Sequence, residues 1–368
     1  MYRFLLIIYS FLISLTMSAY EHTYPDLNDL DAILNRHNEI TLAKIQSIES
    51  KKYILVNTDS MTERYNICDS LFHDYSSFQL DSALSYANRK LKIAKQLQDR
   101  KHIDRSIIEM ANMYIQAGMN MQSYELLQQL DRSQLDPALL QDYYSINNNL
   151  YEFLSQFALN KTIRDGYKQT AKAYRDSVLM HEPNDMFVYT YSLLSDGKYQ
   201  KGLNILLNYF EGLDPEQREI GPTAYSISEY YRSMGNREEE KKYLIISAAS
   251  DIKHGIKEYC SLSRLAMVLY EDGDYERAHK YVEVALNDAI FCDAKMRTLE
   301  VTDILPIIET DYQQRLKGQR TNLIYALTCI SILMILLIII LFILRRYQSK
   351  LSSAKEQVDR ANQLLIES

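Results

Sequence analysis

The sequence predicts an all-α protein made of a helical-hairpin solenoid, one transmembrane helix and a short cytoplasmic coiled coil. Three observations support this prediction. Turn signals recur at a nearly constant interval between residues 61 and 290, and residues 323–344 contain no charged side chain. The 368 residues include only 6 prolines and 10 glycines, and 47% are hydrophobic, which favours long helices over sheets.

The N-terminus has the pattern of a secretory signal peptide. Arg3 supplies a small basic region, residues 4–17 are apolar, and the small residues Ser18 and Ala19 form a cleavage site. We therefore assign residues 1–19 to a signal peptide. If it stays uncleaved, it adds a second anchor with the same external face.

Residues 20–57 are expected to form one helix that caps the first apolar face of the solenoid. Their pattern follows a loose three-four spacing, which is typical of an amphipathic helix. The residues in this pattern are Leu30, Ile33, Leu34, His37, Thr41, Lys44, Ile45 and Ile48.

A repeat of about 39 residues follows, in which each copy is a helix, a turn and a second helix. The turns are 38 to 40 residues apart and centre on Phe78, Gly118, Phe157, Gly197, Gly235 and Gly273. A constant period of this size is typical of a solenoid. We therefore predict about six helix pairs over residues 58–292.

Small residues at fixed offsets from the turns let paired helices approach closely. One set follows the turns and consists of Ala83, Ser123, Gly202 and Ala278, with Glu240 as an exception in the fifth pair. A second set lies seven residues before four turn glycines and consists of Ala111, Thr190, Ser228 and Ala266. These positions resemble those of tetratricopeptide repeats over residues 61–290. The longer period implies longer helices and a shallower superhelix.

Residues 323–344 are predicted to cross a membrane. As a helix they would span roughly 33 Å, close to the thickness of a bilayer core. Arg345 and Arg346 follow at once, which places the C-terminal side in the cytoplasm and the repeats in the periplasm of an inner membrane. Residues 293–322 are expected to form a connecting helix, kinked at Pro306.

Residues 345–368 are predicted to form a coiled coil. Their apolar and small residues alternate at spacings of three and four, and this seam consists of Leu344, Tyr347, Leu351, Ala354, Val358, Ala361 and Leu365. Tethering in a membrane raises the local concentration of the seam, which favours a homodimer. The alternative is an amphipathic helix that lies near the lipid headgroups.

The order of these segments resembles a Bacteroidetes-type family of membrane-anchored regulators. Residues 63–83 are similar to the family's opening repeat and residues 361–365 to its linker. The resemblance implies a cytoplasmic domain that ends in a helix-turn-helix-like DNA-binding segment, which we expect beyond residue 368. The net charge of −7 argues against DNA binding by the external part.

The sequence contains no motif for catalysis, cofactor binding or metal binding. Its 7 histidines lack the spacing of metal ligands, and no Gly-rich phosphate loop or G-x-S-x-G motif occurs. We interpret Cys68, Cys260 and Cys292 as buried thiols rather than disulfides, and Cys329 lies in the apolar run. We therefore expect no enzyme activity, no cofactor and no metal.

The 30 tyrosines and the absence of tryptophan suggest two alternatives. The tyrosines either pack between helix layers or line a concave groove that binds a peptide or protein. The inner face of the first helices supplies the candidate groove residues Asn112, Asn148, Tyr191, Tyr225, Glu229 and Arg232.

The leading functional hypothesis is a single-pass sensor that binds a peptide or protein outside and signals to a cytoplasmic, transcriptional output. One alternative is a non-signalling envelope scaffold for protein complexes. The other is the sensor half of a histidine kinase, although residues 345–368 contain no histidine.

Overall fold

A computed structural model describes residues 24–257 and 259–367, which form fifteen α-helices and one 3₁₀ turn. No strand occurs among these residues. The predicted signal peptide lies outside them. The chain divides into two compact units, Met1–Ile308 and Glu309–Ser368.

Two helices, rather than the single helix expected over residues 20–57, precede the repeats. They are α1 (Leu27–Asn35) and α2 (His37–Val56), and they meet at Arg36. The side chain of Asp26 begins α1 by accepting hydrogen bonds from two backbone N–H groups in a capping box. The apolar spacing in the sequence continues across Arg36, so it gave no sign of the break.

Twelve helices form six pairs, which confirms the tetratricopeptide-like solenoid. The pairs are α3 (Met61–Ser76) with α4 (Leu80–Leu97), α5 (Arg100–Gln116) with α6 (Asn120–Leu127), α7 (Pro137–Phe157) with α8 (Lys161–His181), α9 (Met186–Ser195) with α10 (Tyr199–Glu211), α11 (Ile220–Ser233) with α12 (Arg237–Lys253), and α13 (Ser261–Asp272) with α14 (Tyr275–Phe291). A 3₁₀ turn, Arg132–Gln134, follows α6.

The turns and the small positions have the geometry that the repeat requires. Gly118, Gly197, Gly235 and Gly273 all have positive φ, between 73° and 87°. The small residues around them are buried, and an added Cβ on Gly202 would stand 1.8 Å from Tyr230 Oη in the next pair. The exception, Glu240, is also buried, and its carboxylate accepts a hydrogen bond from Arg264 Nε at 3.0 Å.

The first and last pairs of the solenoid contact each other. The Leu80 N–H donates to the carbonyl oxygen of Cys292 at 2.9 Å, and the Lys257 N–H donates to that of Ser77 at 2.7 Å. Cys292 is buried in the same apolar cluster as α3 and α4. The two ends of the repeat array therefore share one core.

The N-terminal helices pack on both ends of the array. Leu30 and Leu34 of α1 lie in the apolar core of the last two pairs, together with Leu265. Ile48 of α2 packs instead with Leu71 and the core of the first pair. Only α2 therefore lies where the sequence predicted a cap, and α1 covers the opposite end.

A buried polar network joins α2 to the last pair. Asp288 accepts hydrogen bonds from Lys257 Nζ at 2.7 Å and from Tyr259 Oη at 2.6 Å. His37 Nε2 lies 2.8 Å from the same carboxylate. Burial lowers the pKa of Lys257, and the charge of Asp288 opposes that shift. Each buried charge in the network thus has a partner of opposite charge.

The last helix, α15, runs from Lys295 to Glu367 and contains Pro306. In the first unit, Val301 and Ile308 of α15 are buried in the core of the last two pairs. This part of α15 therefore packs against the last two pairs.

In the second unit, α15 contains the apolar run 323–344, whose large apolar side chains are exposed. An 18-residue window of the helix has a mean hydropathy of 3.3, and none of it is buried. By length and composition alone, this is the one helix among the described residues that could cross a membrane. The seam residues Tyr347, Leu351 and Val358 are also exposed.

Candidate ligand-binding surfaces of the solenoid

The six candidate groove residues lie on the first helices of four pairs. They are Asn112 on α5, Asn148 on α7, Tyr191 on α9, and Tyr225, Glu229 and Arg232 on α11. Within the part of the chain that the structure describes, no hydrogen bond, ion pair or ring contact joins the two asparagines to the other four. The structure thus brings together only part of the set.

Tyr191 lies over a partly buried ion pair that the sequence did not reveal. The guanidinium carbon of Arg175 lies 5.3 Å from the Tyr191 ring centroid, and Arg175 Nη1 donates to Glu152 Oε1 at 3.1 Å. Arg175 is only 7% exposed, and its Nε has no hydrogen-bond partner. Burial raises the pKa of Tyr191, and the charges of Glu152 and Glu229 add to the shift.

Glu229 and Arg232 form an ion pair on α11. Burial raises the pKa of Glu229, while the charges of Arg232 and Arg264 oppose the shift. Tyr191, Glu229 and Arg232 together form what we call the α9–α11 ridge. The ridge presents an aromatic ring and both signs of charge, which suits contact with a polypeptide.

A cleft of about 290 Å³ opens beside Tyr225. It lies between the end of α3 and the beginnings of α11 and α13. Pro222, Ile256 and the rings of Tyr225 and Tyr259 supply its apolar walls. Burial raises the pKa of Tyr225, and the Cys260 thiol and the charge of Glu229 add to the shift. This phenol therefore stays neutral at physiological pH.

The polar groups of the cleft differ in how fully their hydrogen-bonding and charge requirements are met. Arg218 Nη2 donates to Ser77 Oγ at 3.2 Å, and Arg218 has no ion pair with any described residue. Ser247 is 1% exposed, and its hydroxyl has no hydrogen-bond partner. Asp251 is buried and accepts a hydrogen bond from Ser261 Oγ at 2.9 Å. The cleft therefore combines an arginine that lacks an acidic partner with an unsatisfied buried hydroxyl.

One other cluster has residue types that could bind a metal ion. Asp69, His73 and Glu109 place potential ligand atoms within 4.8 Å of one another. However, the fully buried Lys90 ammonium contacts both carboxylates. Burial raises the pKa of Glu109, and the charge of Lys90 opposes that shift. A metal ion would have to displace a buried ammonium, so we interpret this cluster as an ion-pair network.

Comparison with protein families decides the classification of the repeats. The family model of the SusR N-terminal TPR domain matches residues 34–303, which contain α2, all six pairs and the start of α15. The chain belongs to this family. The predicted resemblance to a Bacteroidetes regulator family is thereby confirmed. As a TPR domain of SusR-type regulators, this region has a protein-interaction and regulatory role.

Two proteins with tetratricopeptide repeats are among the solved structures to which the chain is similar. A TPR protein from Thermus thermophilus is 17% identical, with a TM-score of 0.30, and the match covers 66% of this chain and 99% of that one. A STAND signal transduction ATPase with a tetratricopeptide repeat sensor, from Pyrococcus horikoshii, is 19% identical with a TM-score of 0.40. That match covers 75% of this chain and 42% of the ATPase. No curated protein matches the chain.

Proposed function

We propose that this SusR-type chain is a single-pass membrane regulator and not an enzyme. Its TPR domain lies in the periplasm and binds a peptide or protein partner, and α15 crosses the inner membrane. The signal reaches a cytoplasmic output module that regulates transcription. One observation supports this proposal above the others: a single helix, α15, contains both the buried Val301 and Ile308 and the apolar run 323–344.

The α9–α11 ridge is the proposed contact surface for the partner. Tyr191 and Arg232 are exposed enough to touch a ligand, while Glu229 is half-buried and fixes Arg232. A partner that approaches this surface would meet an arginine whose position is already restricted, which lowers the entropic cost of binding. No cofactor is needed for this role.

Arg297 lies on the first turn of α15. Its charge opposes the rise in the pKa of Tyr225 caused by burial, so the two groups interact electrostatically. Tyr225 precedes Glu229 by one helical turn, on the same face of α11. A ligand bound on the ridge would thereby act on α15 through Tyr225 and Arg297. Two copies of the chain, paired through the heptad seam, would then change their packing.

Protease protection and deletion of the tail test this proposal together. In spheroplasts that express the full chain, external protease should remove the TPR domain and leave residues 345–368 protected. Protection of the TPR domain in protein that still sediments with membranes would refute the proposed orientation.

Deletion of residues 347–368 then separates the sensor from the scaffold. A sensor should keep its partner, as measured by co-purification, but lose its transcriptional response. A scaffold would keep both its partner and its phenotype. A histidine kinase would in addition show autophosphorylation of a longer chain.

A further inference from the structure

We propose that the cleft beside Tyr225 is a second, separate binding site, and that it takes a small organic carboxylate with an apolar body. This ligand would act in addition to the protein partner on the α9–α11 ridge. The proposal depends on the charge at the cleft, its apolar walls and one buried hydroxyl.

The charge at the cleft favours an anion. Arg218 lines the cleft and pairs with no carboxylate among the described residues. Its guanidinium donates instead to the neutral hydroxyl of Ser77. The helices α11 and α13, of 14 and 12 residues, both begin at the cleft. The dipole of α13 adds partial positive charge in the same place. At the start of α11, the N–H groups of Ile220 and Gly221 already donate to the carbonyl oxygens of Gln217 and Arg218.

The carboxylate of Asp251 also lines the cleft, but it is already engaged. It is buried, it accepts the Ser261 hydroxyl, and its Oδ1 lies against the first turn of α11, 2.8 Å from where a Cβ on Gly221 would stand. Its charge therefore acts on the start of α11. The charge of Arg218, which is exposed, remains available to a ligand.

The walls of the cleft select an apolar body. Pro222 and Ile256 are apolar, and Tyr259 directs its hydroxyl to Asp288 at 2.6 Å, so that its ring rather than its hydroxyl is available to a ligand. The volume of about 290 Å³ is at the lower end of the range for small-molecule sites. A ligand of the size of a single amino acid derivative fits these limits.

The hydroxyl of Ser247 supplies an independent sign of a ligand. A buried polar group without a partner is unfavourable, and the great majority in folded proteins are satisfied. Ser247 is 1% exposed, lines the cleft, and its hydroxyl lacks a partner. A ligand oxygen or amide in the cleft would provide that missing hydrogen bond.

Calorimetric titration of the full chain in lipid nanodiscs tests this proposal. The probes are N-acetyl-phenylalanine, which carries a carboxylate, and its amide, which is the same size without the charge. The carboxylate should bind with a dissociation constant in the millimolar range or tighter, and the amide about tenfold more weakly.

Variants assign the binding to the cleft. Arg218→Gln should weaken binding of the carboxylate about tenfold and leave binding of the amide unchanged. Ser247→Ala should weaken both probes by a smaller factor. The control Arg36→Gln removes an exposed arginine that does not line the cleft and should change neither affinity.

Three results would overturn the proposal. They are equal binding of the carboxylate and the amide, unchanged affinity in Arg218→Gln, and no saturable binding of either probe. None of them would affect the proposed function, because the probes report on the cleft and not on the ridge.

Discussion

Substitution of Gly202 by alanine should destabilise the repeat domain, although alanine is the better helix former. The added Cβ would lie 1.8 Å from Tyr230 Oη, 2.4 Å from Cζ and 2.7 Å from Cε1. Tyr230 is 1% exposed, and its hydroxyl donates to the carbonyl oxygen of Thr190 at 2.5 Å. The ring therefore cannot move aside without disturbing its own packing.

The expected loss of folding free energy combines two destabilising contributions and one stabilising contribution. Overpacking a core costs about 1–3 kcal/mol, and losing the Tyr230 hydrogen bond costs about 1 kcal/mol. Replacing glycine by alanine within a helix stabilises the folded state by about 1 kcal/mol. The net loss for Gly202→Ala is thus about 2 kcal/mol, which corresponds to roughly 4 °C in melting temperature for a domain of this size.

Circular dichroism at 222 nm during heating measures the loss, and Gly166→Ala is the matched control. Gly166 lies in α8, and a Cβ there would meet nothing within 4 Å. Gly166→Ala should raise the melting temperature by a few degrees. The double variant Gly202→Ala with Tyr230→Phe should melt above the value expected from adding the two single effects, because the closest atom is gone. If Gly202→Ala melts at or above the wild type, the close-packing argument is refuted.

Three further predictions follow from other parts of the chain. Leu30 is fully buried, so Leu30→Ala should lower the free energy of unfolding by about 3 kcal/mol and speed hydrogen exchange in α12 and α13. Faster exchange mainly in α3 and α4 would contradict the packing of α1. Because burial raises the pKa of Glu229, wild-type protein gains stability as pH falls towards the ordinary value of 4.5. The melting-temperature advantage of Glu229→Gln should therefore be largest near pH 7 and shrink on acidification, and a difference that does not vary with pH would contradict it. In a Cys329→Ser background, Leu351→Cys on the seam should form more disulfide-linked dimer in membranes than Ser352→Cys, as measured on non-reducing gels; equal yields would contradict the coiled coil.

The repeat could be predicted because its rules are local. A left-handed glycine ends each of four first helices, and small residues such as Ala266 and Ala278 recur at fixed distances from the turn. These features depend on neighbours within one hairpin, so the residues that produce them recur at regular intervals in the sequence.

The break between α1 and α2 could not be predicted in this way, because the apolar pattern continues through Arg36.

The side chains that meet at the candidate surfaces could be predicted only in part. The periodicity of the first helices located Tyr191, Glu229 and Arg232. Arg175 instead lies on a second helix, α8, and its guanidinium packs over the Tyr191 ring. Glu152 follows Asn148 by four residues on the same helix face and could have been found that way. The pairing of Ser77 with Arg218 joins the turn of the first pair to the loop before the fifth pair, and no local sequence pattern predicts a contact over that distance.

The contact between the two ends of the array has a consequence for how the domain melts. A linear row of repeats usually frays, since its outermost units have a neighbour on one side only. Here the bonds from Leu80 to Cys292 and from Lys257 to Ser77 give every hairpin two neighbours. No hairpin at an end of the array can therefore unfold ahead of the others under heat or force. We expect one sharp cooperative transition, and a strain applied at any hairpin reaches the opposite side by two paths at once.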